Sequence, residues 1–174
     1  MGRLQGVLSS LSAADLGGFA IAGALERSGV PSTDVDYVVL GQVLQAGVGQ
    51  NAARQAAIAG GLGMAIPALT INKVCLSGID AIALADQMIR AGEFDTVVAG
   101  GMESMSQAPH LLIGSREGKR YGDWTMTDAL AFDGLTCAFD ECAMGEATER
   151  YNDRYALTRQ EPVSYTHLTL PTKS

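Results

Sequence analysis

The sequence predicts an α/β fold, a sheet with helices on its faces, and three observations carry that prediction. Residues 12–100 alternate between helical and strand-like apolar patterns, in the order helix, strand, helix, strand, helix, strand. The 174 residues are 47% hydrophobic and 18% charged, enough apolar surface for a core. There are 21 glycines. With apolar content this high, a surplus of small residues signals close-packed helices and tight turns, not disorder.

Each element has a local reason. Ser12 can cap a helix to about Ser28, with Leu16, Phe19, Ala20 and Ala24 at helical spacing and Gly29 and Pro31 to end it. Val35–Val43 (VDYVVLGQV) has the β-branched density of a buried strand. Gly47 and Gly49 mark a loop before a short helix over Asn51–Ile58, which Gly60, Gly61 and Gly63 close. Pro67–Val74 alternates Leu69 and Ile71 with Thr70 and Asn72 and reads as a strand. Ser77–Ala91 is helical and apolar over most of its circumference, which predicts a buried helix. Thr96–Gly100 is a short strand. Periodicity dissolves from Gly101 to Glu141 and resumes as a helix from about Cys142 to Tyr155.

Composition excludes several functions. With 12 Lys and Arg against 19 Asp and Glu, the net charge is −7, unlike a general nucleic-acid binder or a polybasic membrane-surface protein. No apolar run approaches the roughly 18 residues of a transmembrane candidate. Residues 1–12 (MGRLQGVLSSLS) make a poor signal peptide. The three cysteines, Cys75, Cys137 and Cys142, are too few and too irregular for a disulfide framework. A reducing, cytoplasmic setting is the expectation. With only His110 and His167 as nitrogen ligands, neither count nor spacing suits a metal, and none is expected.

One cysteine stands where chemistry is possible. Cys75 falls between the end of a strand-like run and the start of the helix over Ser77–Ala91. A side chain there meets the positive end of a helix dipole, a field that favours an anionic sulfur. Ser77 and Gly78 leave room for a substrate. On position alone, packing is still the commoner use of such a cysteine.

The segment Asn72-Lys73-Val74-Cys75-Leu76-Ser77-Gly78 resembles the nucleophile segment of thiolases, the acetyl-CoA acetyltransferases. Gly41–Gly47 (GQVLQAG), Gly49–Ala56 (GQNAARQA) and Gly100–Ser106 (GGMESMS) resemble other signatures of that family, in family order and at family-like spacing. The resemblance covers about Gly2 to Glu161. Where many members carry Gly or Ala after the nucleophile, this chain has Leu76, a difference that would reshape the pocket.

The resemblance implies a thiolase-like N-terminal half, a mixed sheet between helices, without its first strand and without the second half. It implies a domain over 1–161, with a long loop region at about 102–141, followed by a tail over 162–174 that is not native to the family. In that tail Pro162 and five Ser or Thr among thirteen residues do not continue a helix. It implies that Cys75 takes an acyl group from acyl-CoA. A second acetyl-CoA, deprotonated by another cysteine, then attacks the thioester in a Claisen condensation; the reverse is thiolysis of a 3-oxoacyl-CoA. The Cys75 backbone N–H is the candidate oxyanion donor.

By the same resemblance Leu135 and Met144 would line the pantetheine tunnel, although core packing explains Met144 as readily. The family's frequent His before that Met is here Ala143. Arg116, Lys119 and Arg120 could approach CoA phosphates, but a solvated loop is the commoner reading. The implied partners are acyl-CoA and coenzyme A, as substrates and not as a resident cofactor. A homodimer or tetramer is implied, paired through Pro67–Val74, and neither nucleic acid nor membrane. Cys137, Cys142, His110 and His167 do not match the second catalytic cysteine or the catalytic histidine. The chain alone is therefore expected to be inactive and not to form a well-packed domain, with apolar side chains uncovered. Two alternatives remain at this point: a related 3-oxoacyl synthase-type condensing enzyme, and a partial product with no enzymatic role.

Overall fold

The computed structural model describes residues 2–156, 158 and 160. It divides into two compact units, residues 1–134 and 135–174. The expected tail over 162–174 lies outside the described residues.

The first unit is built on a parallel three-stranded sheet. Strand β1 (Tyr37–Gly41) is central, flanked by β2 (Ala68–Ile71) and β3 (Val97–Gly101). Val39 stands opposite Leu69 on one side and Ala99 on the other. Where a mixed sheet was expected, both pairings are parallel; the antiparallel pairing is a separate ribbon of β4 (His110–Leu111) and β5 (Thr127–Asp128). β1 and β2 are shorter than the apolar runs read for them, Val35–Val43 and Pro67–Val74, whereas β3 has the expected length and is shifted by one residue from Thr96–Gly100.

Helices α1 (Ala13–Ser28) and α2 (Ala52–Ala59) pack together, and the core between them and the sheet includes Ile21, Val38, Leu40, Ala53, Ala56 and Met102. Ser12 caps α1 as expected. Its hydroxyl accepts from the Asp15 N–H at 3.1 Å, and the Asp15 carboxylate accepts from the Ser12 N–H at 3.0 Å. Gly29, at φ 69°, closes the helix through its N–H to the Leu25 carbonyl. The inward face differs from the apolar spacing: Phe19 is exposed, while Gly17, Gly18 and Ile21 are buried. Glycine makes this face because the neighbours are too close for side chains. A Cβ at Gly18 would lie 2.6 Å from the Ala59 Cβ.

Helix α3 (Ser77–Arg90) covers the other face, packing on β1 and β3. It differs from the buried helix its composition suggests. Ser77, Ala81 and Ala85 are buried, whereas Ile79 and Ile82 are 68% and 56% exposed. One small-residue stripe seats the helix, and the larger aliphatics are left facing outward in this chain.

In the second unit, Thr136 and Ala143 form an antiparallel bridge, Cys137 N–H donates to the Cys142 carbonyl at 2.8 Å, and α4 (Met144–Tyr155) follows. Among the described residues no helix is long and apolar enough to cross a membrane.

Candidate active site

Three of the four chain segments that resemble family signatures, those at Gly41, Cys75 and Gly101, meet at the C-terminal end of the sheet, while the segment at Asn51 is tied to β2. Gly41 ends β1 against the first turn of α3. A Cβ there would come within 2.4 Å of the Ser77 carbonyl carbon, so only glycine fits. Gly101 ends β3 against α3 as well, less tightly, where a Cβ would lie 3.2 Å from the Gly78 Cα. Helix α3 is thus seated nearly backbone to backbone on the strand ends.

The residues after Gly101 each have a structural task. Met102 is buried beneath α1, where a Cβ on Gly17 would meet its sulfur at 2.6 Å. The Glu103 carboxylate accepts the N–H groups of Val43, at 2.8 Å, and Leu44, at 3.2 Å. Burial pushes the Glu103 carboxyl above its ordinary range, and those two hydrogen bonds oppose the shift. The Ser104 hydroxyl donates to the Leu11 carbonyl at 2.8 Å. At α2, the Asn51 side chain accepts from Arg54 N–H and donates to the Ala68 carbonyl, tying the helix start to β2.

Cys75 is different: it is exposed, immediately before α3. No side chain caps this helix start; Leu76 occupies the cap position at φ −93°. The preceding residue, Val74, has φ 49°. That is the left-handed region, which a β-branched residue rarely enters and which costs on the order of 1–3 kcal/mol. The turn is held by hydrogen bonds around it. Val74 N–H donates to Asn72 Oδ1 at 2.9 Å, and Lys73 N–H donates to Ser77 Oγ at 2.8 Å. Ser77 Oγ donates to the Val74 carbonyl at 2.7 Å. The Lys73–Asp80 ion pair at 2.5 Å is solvent-exposed and adds little.

Cys75 and Glu103 both line an open groove of about 530 Å³, within the size range of small-molecule sites. The ends of β1 and β3 and residues of the segment 2–8 line it as well. Leu76 is 55% exposed and is not among the residues that line this groove.

Leu135 and Met144 belong to the second unit and are each more than two-fifths exposed. The Thr136–Ala143 bridge brings them together at adjoining register positions. Arg116, Lys119 and Arg120 are exposed in the loop, with Lys119 5.9 Å from the Trp124 ring centre. Sequence reasoning gave Ser77 only the role of leaving space and passed over Val74. The hydroxyl two residues after the cysteine was visible; its bonds to residues 73 and 74 were not.

Comparison with known proteins agrees with this reading of the fold. The chain is 59% identical over 165 residues to a probable acetyl-CoA acetyltransferase of Mycobacterium tuberculosis, covering 95% of this chain and 42% of that protein. It is 49% identical over 161 residues to an acetyl-CoA acetyltransferase of Allochromatium vinosum, and 47% identical over 165 residues to a probable one of Escherichia coli. Those matches cover 92% and 95% of this chain and 41% and 42% of the relatives. The chain thus spans about two-fifths of the length of the curated relatives it matches. Residues 1–166 match the family model described as "Thiolase, N-terminal domain", and the chain belongs to that family.

Proposed function

We propose that this chain is the nucleophile-bearing part of an acyl-CoA C-acyltransferase and that Cys75 is its acyl acceptor. The observation that carries the reading is the exposed sulfur at the uncapped start of α3, in a groove that a substrate can enter. The Cys75 thiolate attacks the thioester carbonyl of acyl-CoA, coenzyme A leaves as its thiolate, and the acyl group remains as a thioester on Sγ. The Cys75 N–H is the oxyanion donor supplied by this chain. The carbanion of a second acetyl-CoA then attacks the acyl-enzyme and releases the Cys75 thiolate; the reverse is thiolysis of a 3-oxoacyl-CoA.

Leu135 and Met144 offer apolar contact to the pantetheine arm. The base for the second acetyl-CoA lies outside this chain, so the chain alone stops at the acyl-enzyme. Coenzyme A thioesters act as substrates, and no separate cofactor enters these steps. A cytoplasmic homo-oligomer acting in fatty acid metabolism is the setting that fits.

The test is thiolysis of acetoacetyl-CoA by the full-length enzyme that continues this sequence, assayed beside its Cys75→Ser variant. Turnover that falls by about 10³-fold or more in the variant supports the reading. Turnover that survives the substitution overturns it.

A further inference from the structure

We infer that Ser77 is the positioning residue of this site: its hydroxyl holds Val74 in the left-handed conformation that presents Cys75. The inference rests on the reading of Cys75 as nucleophile. Ser77 is only 4% exposed, and its two ends are fixed differently. Its backbone lies against β1, so close to Gly41 that no Cβ fits between them. Its hydroxyl reaches back across Cys75, accepting from Lys73 N–H at 2.8 Å and donating to the Val74 carbonyl at 2.7 Å. The same carbonyl also accepts the Ser77 N–H at 3.1 Å.

Cys75 is therefore spanned by a clasp whose far end is the sheet itself. Val74 has every steric reason to leave φ 49° for an ordinary extended conformation. If it does, residues 73–75 swing and the sulfur leaves the first turn of α3. The serine is thus the link between a rigid scaffold and a strained backbone, a division of labour expected where local rules are broken for function.

The test is the rate of Cys75 alkylation by iodoacetamide in the full-length enzyme that continues this sequence, read peptide by peptide with Cys137 as internal reference. Ser77→Ala keeps the Cβ and removes the clasp, and is expected to slow Cys75 by about tenfold relative to Cys137. Asparagine enters the left-handed region far more readily than valine. Val74→Asn in the Ser77→Ala background is therefore expected to restore the rate to within about twofold. A serine that only packs the fold would not be rescued in this way.

An unchanged rate in Ser77→Ala, or a slowed rate that Val74→Asn fails to restore, overturns the inference. Should Ser77→Ala fail to fold, Val74→Asn is compared with the double variant. Equal rates support the clasp, and a slower double variant overturns it. Alkylation reads how the sulfur is presented, whatever acyl chemistry it performs. Failure of the acyl-acceptor reading would instead show as absent transfer from acetyl-CoA with the Ser77 effect intact.

Discussion

Helices α2 and α3 both begin after a residue in the left-handed region, and they use it in opposite ways. At α2 the residue is Asn51, at φ 42°, a type that tolerates the conformation. Its side chain caps Arg54 N–H, accepts the Thr70 hydroxyl and donates to the Ala68 carbonyl. At α3 the residue is Val74, at φ 49°, with no polar side chain to offer and no side-chain cap on the helix. The first start is closed and stapled to β2. The second is strained, uncapped and followed by an exposed cysteine. Two neighbouring signatures of one family thus serve different ends, one fastening the scaffold and the other holding a reactive group open.

The seat of α3 is the feature whose loss should cost most. Gly41→Ala would drive a methyl into the Ser77 backbone, which cannot rotate away as a side chain could. The expected loss of stability is about 1–3 kcal/mol by chemical denaturation, with Cys75 alkylation altered as α3 shifts. Asn51→Ala breaks the closed start. Losing the cap costs about 0.5–2 kcal/mol, and the Cys75 alkylation rate should stay unchanged, because this staple serves the scaffold.

A smaller effect of opposite sign is expected where the strain sits. Val74→Asn should raise stability by about 0.5–1 kcal/mol, as the left-handed region suits the new residue. A decrease would mean that the valine side chain contributes more by contact than its backbone costs.

The smallest effect concerns pH. Burial holds the Glu103 carboxyl above its ordinary range, so the folded state keeps this proton to higher pH than the unfolded chain does. Glu103 therefore favours the fold below its ordinary range, and that contribution is lost as pH rises through the raised folded value. Stability measured against pH across this window should fall more gently in Glu103→Gln than in the parent chain.

Much of this was legible in the sequence, and the parts that were not share a cause. The Ser12 cap, Gly29, the sheet's strands and the place of Cys75 all follow from local rules, since caps, β-branched runs and chain breakers act within a few residues. The inward faces of the helices were misjudged at Phe19, Ile79 and Ile82. Apolar spacing assumes that large side chains seat a helix, whereas here Gly17, Gly18, Gly41 and Gly101 allow near-backbone contact. At the site, a cysteine before a helix is a local signal. The Val74 dihedral and the reach of the Ser77 hydroxyl depend on where β1 and α3 meet, and no spacing rule carries that.

The difference between the two helix starts has meaning for function only if the open one carries the acyl group. The direct measurement is to incubate the full-length enzyme with acetyl-CoA, quench and digest it, and locate the added acetyl mass by peptide. Acetyl on the peptide containing Cys75, absent in Cys75→Ser, is the expected result. Acetyl on Cys137 or Cys142 with Cys75 unmodified would contradict the assignment.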